Sequence, residues 1–180
     1  SDGRIIFPRG GDGLPRKKYF RFEREQEGQC ATNWWSHEEF GHNQGANELM
    51  TSIFGEKNVF DNPKPIELII GLIKIANVKQ GDIILDFFGG SGTTGHATYE
   101  LNSTDGCNRS WIIIQMPEQT SRLDYPTIAE ICKERLRRMV KNSSKVKKIT
   151  GKNGEIDIGF KTFRLGRSFF KEFKNYEGSD

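Results

Sequence analysis

Asp86-Phe87-Phe88-Gly89-Gly90-Ser91-Gly92-Thr93-Thr94-Gly95 is the stretch that decides the fold. Ahead of it, Gly81-Asp82 turns into Ile83-Ile84-Leu85, a short apolar strand that ends at Asp86. Behind it, Thr93 to about Asn102 reads as a helix. A strand, a glycine-rich turn and a helix in that order predict one βα unit of a parallel sheet. Asn102–Asn108 is loop chemistry, and Trp111-Ile112-Ile113-Ile114 is a second strand, apolar and β-branched enough to be buried on both faces. Thr127-Ile128-Ala129-Glu130 forms a capping box. The helix it opens carries apolar residues at 128, 131, 132, 136, 139 and 140, an amphipathic spacing. Ile156–Leu165 is a candidate third strand. Upstream, Asn62-Pro63-Lys64-Pro65 is a helix-entry signal into a buried helix over Ile66–Ala76. The order predicts an α/β fold with about three parallel strands, flanking helices and a right-handed crossover.

Three domain-level segments follow. Residues 1–57 read as irregular apart from a short strand at Arg4–Phe7. Residues 58–150 hold the glycine turn and its flanking elements. Residues 151–180 add the last strand and a Phe-rich tail at 160, 163, 169, 170 and 173, a hydrophobic clasp.

Composition bounds the class. The 180 residues are 34% hydrophobic with 13 Phe and 3 Trp, enough for a core. The longest uninterrupted apolar run, Leu68–Ile73, is six residues, far short of the ~20 that a membrane span needs. Ser1–Gly11 contains no apolar stretch of signal-peptide type. Cys30, Cys107 and Cys132 form no Cys-x-x-Cys pair, which fits a reducing compartment better than a disulfide framework or a zinc site. The net charge of +3 hides a segregation: residues 25–132 sum to −9 and residues 133–148 to +7. The basic segment suggests a polyanion partner, with Arg135, Arg137, Arg138 and Lys141 as candidate phosphate ligands; a solvated helix face is the plainer alternative.

Three ligands suit a glycine turn between strand and helix. A nucleoside triphosphate in a P-loop needs Gly-Lys-Ser/Thr, and Thr93 follows Gly92 here. A dinucleotide fits Gly90-x-Gly92-x-x-Gly95, with Gln115 and Glu118 near the expected ribose position, but the Asp86 carboxylate would repel a pyrophosphate. S-adenosylmethionine turns that carboxylate into an asset, because Asp86 can pair with the α-ammonium. The helix N-terminus, Ser91, Thr93 and Lys64 can then hold the ligand's carboxylate. The charges match this third ligand best.

The decisive stretch resembles the cofactor motif of amino-group DNA methyltransferases, Asp-Pro/Phe-Phe-x-Gly-Ser-Gly-Thr-Thr. Asn62-Pro63-Lys64-Pro65-Ile66-Glu67-Leu68 is similar to the Lys-Pro motif that precedes it in the circularly permuted β group. Gly3-Arg4-Ile5-Ile6-Phe7, Gly11-Asp12-Gly13-x-Pro15-Arg16, Trp35-x-x-Glu38, Ala129-Glu130-Ile131-Cys132-Lys133-Glu134-Arg135 and Ile156-Asp157-Ile158-Gly159-Phe160-Lys161 are similar to the modification (Mod) subunit of type III restriction–modification systems. The resemblance implies the cofactor-binding half of a Rossmann-like S-adenosylmethionine-dependent methyltransferase fold. It implies that Asn62, Lys64, Asp86, Phe87, Phe88, Gly89, Ser91, Gly92, Thr93 and Gln115 bind the cofactor. It also implies N6-adenine methylation of double-stranded DNA in the bacterial cytoplasm, with a restriction (Res) subunit and a second Mod copy as partners.

The chemistry of that family has a missing part. Methylating an exocyclic amine needs a flipped base, an acceptor for the amine hydrogens and an aromatic ring. The family's Asp/Asn/Ser-Pro-Pro-aromatic tetrapeptide is absent, since no two of the six prolines are adjacent. No catalytic residue is therefore assigned, and the chain, which opens on Ser1, reads as the C-terminal part of a longer Mod protein that would be inactive alone. Its first strand would then carry an unpaired edge, covered by self-association or by the N-terminal residues. Cys30, Cys107 and Cys132 follow Gln, Gly and Ile rather than Pro, which excludes a cytosine-C5 nucleophile. Gln115 lacks the charge of the acidic ribose ligand that many methyltransferases carry, and Glu118 could replace it. His37, His42 and His96 read as hydrogen-bonding or packing residues rather than metal ligands, and Trp34-Trp35 as loop anchors or stacking platforms. Two rival classes are an NAD-binding oxidoreductase and a non-catalytic DNA-binding or assembly module.

Overall fold

The computed structural model describes residues 3–8, 13–23, 31–145, 150–151, 154–155 and 159–166. The parallel βα unit expected around the glycine turn is present. Strand β3 (Ile83–Asp86) pairs in parallel with β4 (Ser110–Ile113), with Ile84 opposite Trp111 and Asp86 opposite Ile113. The crossover helix, Thr93–Asp105, is one turn longer than its sequence suggests, and Gly106 closes it in a left-handed conformation at φ 71°. Asn102 extends that last turn into the sheet, because its side chain bonds both the N–H and the C=O of Arg109.

Two other strand pairs, both antiparallel, are very short. β1 (Ile5–Ile6) pairs with β2 (Arg16–Lys17), and β5 (Thr150–Gly151) with β6 (Gly154–Glu155). Among the described residues, the N-terminal strands therefore pair with one another, and none pairs with the edge of β3. The third parallel strand expected at 156–165 is not formed at 159–166, and residues 156–158 lie outside the described residues. Among the described residues of that segment, Phe160 alone joins a core cluster, packing on Trp111 at 5.8 Å between ring centroids. Of the expected Phe clasp, residues 169, 170 and 173 also lie outside the described residues.

The helices, numbered along the chain, are α1 (His37–Phe40), α2 (Asn43–Phe54), α3 (Ile66–Ile75), α4 (Thr93–Asp105) and α5 (Ile128–Lys145). The sequence predicts irregular backbone through residue 57, and α1 and α2 correct that. Helix α2 begins with Asn43, Gln44 and Gly45, a weak helical start. It is capped by His42, whose Nδ1 accepts the Gly45 N–H at 2.9 Å. Trp35 stacks on Phe40 at 4.2 Å, and both rings press on Gly71 of α3, where a Cβ would lie 2.7 Å from Phe40.

All three long helices after residue 60 cover one face of the β3–β4 pair. Ile66 and Ile73 of α3 meet Ala97 and Leu101 of α4 over Ile84. Cys132, Leu136 and Met139 of α5 meet Tyr99, Trp111 and Ile113. A third cluster, Met50, Phe54, Val59 and Ile131, ties α2 to α5. Arg138 strengthens that joint by donating to the carbonyls of Ile53 (3.1 Å) and Phe54 (2.8 Å), the otherwise unsatisfied end of α2. The opposite sheet face is open. Ile83, Leu85 and Ile112 are 64%, 57% and 50% exposed, so these strands are not buried on both faces as their composition predicts. No helix of the described residues is long and apolar enough to cross a membrane.

Candidate functional site

The turn between β3 and α4 is pinned to the end of β4. Ile114 N–H donates to Asp86 O at 2.8 Å, and Gly89 N–H donates to Ile114 O at 3.1 Å. This close approach explains the first glycine, because a Cβ at Gly89 would sit 2.2 Å from Ile113 Cγ2. Gly92 adopts φ +81° as the N-cap of α4, and no side chain caps that helix. The first-turn N–H groups of α4 are thus left for a ligand, and the helix dipole favours an anion there.

Asp86 stands at the mouth of the turn, half-buried. One carboxylate oxygen accepts the Phe88 N–H at 3.0 Å and the other accepts the Thr94 hydroxyl at 2.5 Å. Each oxygen keeps lone-pair capacity for a further donor. Phe87 and Phe88, 60% and 82% exposed, lie against each other beside it, their rings tilted by 54° with centroids 5.0 Å apart. The Lys-Pro segment reaches the same place from 29 residues upstream: Thr93 Oγ1 donates to Lys64 O at 3.4 Å. Asn62 enters that segment in the left-handed region at φ 53°, where asparagine is tolerated better than most residues, and Lys64 is exposed. Gln115 lies at the turn but is partly committed, its Oε1 accepting the Gly90 N–H at 2.7 Å and its Nε2 donating to Met116 O. Glu118 is exposed, and its carbonyl accepts the Ile128 N–H where α5 begins.

The basic helix requires a correction. Arg135 is 1% exposed and cannot reach a phosphate; its guanidinium lies beneath the glycine turn, donating to Ser91 Oγ and Thr93 Oγ1, both at 2.9 Å. Arg138 is held by Glu134, Tyr125 and the end of α2, with its guanidinium 4.8 Å over the Phe54 ring. Arg137 and Lys141 remain on the exposed face. The signal for Arg135 was in the sequence: position 135 follows 131 and 132 and precedes 139 at helical spacing, inside the apolar stripe rather than opposite it.

The secondary candidates resolve into structural roles. His96 is buried, accepting from Arg135 at 3.4 Å and facing Glu100 at 3.5 Å. His37 contacts Glu38, His42 caps α2, and among the described residues no group of His, Cys, Asp and Glu could hold a metal ion. Trp35 anchors its loop, its Nε1 donating to Thr32 O, whereas Trp34 is 77% exposed. Cys132 is buried behind the turn, and burial pushes its thiol up to about 11, which makes it a poor nucleophile. Thr94, which sequence reasoning did not single out, is a direct partner of Asp86.

Known proteins are similar to this chain. Residues 10–125 match the family described as DNA methylase, of the N6/N4 type. The chain is 35% identical to the Mod subunit of the type III restriction–modification enzyme StyLTI from Salmonella typhimurium, over 92% of its own length and 25% of that protein's. It is 34% identical to the EcoPI Mod subunit of Escherichia phage P1, over 81% of this chain and 23% of the relative. It is 44% identical to the type II methyltransferase M.KpnI of Klebsiella pneumoniae, over 45% and 19%. The chain thus spans about a quarter or less of the length of these relatives.

Proposed function

This chain belongs to the DNA methylase family, and from that premise we propose that it supplies the cofactor side of a site-specific DNA methyltransferase acting on adenine N6. The donor on this reading is S-adenosylmethionine. The single observation that carries it is the strand-end carboxylate of Asp86 beside an uncapped helix N-terminus, with the glycine turn between them. One group there suits an ammonium and the other a carboxylate, and the amino-acid end of S-adenosylmethionine bears both.

In this assignment Asp86 holds the ammonium, while Ser91, Thr93, the N–H groups after Gly92 and Lys64 hold the carboxylate. Gly89 and Gly92 let the backbone come close. Phe87 and Phe88 offer an apolar wall, Asn62 shapes the entry of the Lys-Pro segment, and Gln115 offers its remaining amide hydrogen to a ribose hydroxyl. When bound, the cofactor supplies an electrophilic methyl group; the residues here orient it and shield its charged end.

The parallel β3–β4 pair with α3, α4 and α5 on one face is, on this reading, part of a Rossmann-like sheet. Residues 58–150 form the cofactor-binding unit, the helices within 37–54 brace it, and residues 151–180 complete it. The relatives' names place them in restriction–modification systems. On this reading the substrate is double-stranded DNA, and the partners are a restriction subunit and a second Mod copy in the bacterial cytoplasm.

The test is thermal unfolding with S-adenosylmethionine or NAD in excess. S-adenosylmethionine is expected to raise Tm, because a ligand that binds only the folded state stabilises it by mass action, and NAD is expected to leave it unchanged. A rise with NAD alone would replace the methyltransferase reading by an oxidoreductase one, and no rise with either would favour a non-catalytic module.

DNA binding by the exposed basic face is a separate expectation. Replacing Arg137 and Lys141 together by Glu should reduce the slope of log K against log salt by about one unit for each phosphate that is no longer neutralised. An unchanged slope in a filter-binding series would make the face merely solvated.

A further inference from the structure

The most deeply buried guanidinium of the described residues has no carboxylate beside it. Arg4, Arg109, Arg122, Arg137 and Arg138 each lie within ion-pair distance of an Asp or Glu. Arg135, 1% exposed, is held instead by Ser91 Oγ, Thr93 Oγ1 and His96 Nδ1. Burial draws its pKa down to about 10, with only Cys132 opposing the shift. A buried cation without a counter-ion is costly unless a ligand supplies the anion.

The hydrogen bonds say where that anion belongs. Arg135 donates to both hydroxyl oxygens, so each takes an N–H on one lone pair and keeps its own proton to give away. The acceptors on offer for those protons are poor. Ser91 and Thr93 stand 3.4 Å apart, and Lys64 O is 3.4 Å from Thr93 Oγ1. Both hydroxyls are buried at the uncapped start of α4. They are polarised donors at a positive helix end with no strong acceptor of their own.

Resting on the cofactor reading above, we infer that Arg135 is a positioning residue that makes the turn selective for ligands bearing a carboxylate, acting through the Ser91 and Thr93 hydroxyls. The guanidinium does not touch the ligand. It fixes the two hydroxyls as donors and places an uncompensated positive charge behind them. The substrate class follows: an α-amino acid attached to a nucleoside, in preference to the same nucleoside carrying only an amine.

The experiment compares S-adenosylmethionine with its decarboxylated analogue, which keeps the sulfonium and the amine, by titration calorimetry on this chain. Wild type is expected to prefer S-adenosylmethionine by about tenfold or more, a charge-assisted interaction's worth. Arg135→Met, which needs no counter-ion, should bring that preference close to unity. Arg135→Lys should keep part of it, and Ser91→Ala should lower it even if Arg135→Met does not fold. Because both ligands are measured on the same variant, a general loss of folding cannot mimic a loss of preference. A preference unchanged in Arg135→Met overturns the inference and leaves the cofactor assignment standing. Failing that variant, a preference unchanged in Ser91→Ala overturns the inference and also removes Ser91 from the carboxylate's ligands. Wild type that binds S-adenosylmethionine but does not discriminate overturns the inference together with the assignment of Ser91, Thr93 and Lys64 to the carboxylate. Wild type that binds neither ligand overturns the cofactor assignment and this inference together.

Discussion

Asp86→Ala is expected to weaken S-adenosylmethionine binding by about 2–4 kcal/mol, a loss of roughly thirtyfold to a thousandfold by calorimetry. Two effects add. The ammonium loses its anionic partner, and the turn loses the anchor that holds the Phe88 N–H and the Thr94 hydroxyl. Asp86→Asn separates them, since its amide oxygen can keep one of those bonds while the charge is gone. Asn is therefore expected to fold like wild type and still bind weakly. Wild-type affinity in the Asn variant would remove the ion pair from the assignment and leave Asp86 a structural residue.

The 180-residue chain by itself is expected to transfer no methyl group to DNA. Attack by adenine N6 needs an acceptor for the amine hydrogens next to a ring that holds the flipped base. No Pro-Pro-aromatic segment exists here to supply them. Around the glycine turn the polar side chains hold the turn (Asp86 with Thr94, Gln115 with Gly90, Ser91 and Thr93 with Arg135), and on the cofactor reading their remaining capacity goes to the methyl donor. Tritiated methyl transfer to unmodified bacterial DNA, beside an active modification enzyme, reads this directly. Incorporation at an enzyme-like rate would mean an unrecognised catalytic group.

The parts of the molecule legible in the sequence are those in which local chemistry and tertiary demand agree. The apolar run Ile83–Leu85, the glycines after Asp86 and the Pro-Lys-Pro entry to α3 each specify backbone geometry with few alternatives, and each element formed where its residues place it. Helix α2 was hidden because its cap is a histidine and its first turn holds Asn, Gln and Gly; its stability comes from Met50 and Phe54 packing on α5. Half of the capping box at Thr127 forms: Glu130 N–H reaches Thr127 Oγ1, but the Glu130 carboxylate pairs with Lys133 instead. The basic stretch misled for a physical reason. Counting charges treats each arginine as a solvated cation, whereas guanidinium groups also serve as buried hydrogen-bond forks, as in Arg135 and Arg138.

The one-sided cover of the β3–β4 pair has a calorimetric consequence. Ile83, Leu85 and Ile112 are hydrated in the native chain already, so melting it wets less new hydrocarbon than the same residues would in a sheet covered on both sides. The heat-capacity increment of unfolding scales with newly exposed apolar area. This chain should accordingly have a shallow stability curve and a low denaturant m-value for its length, with strength that changes little between cold and warm. Whatever comes to lie on that face should steepen the curve as it dries those side chains.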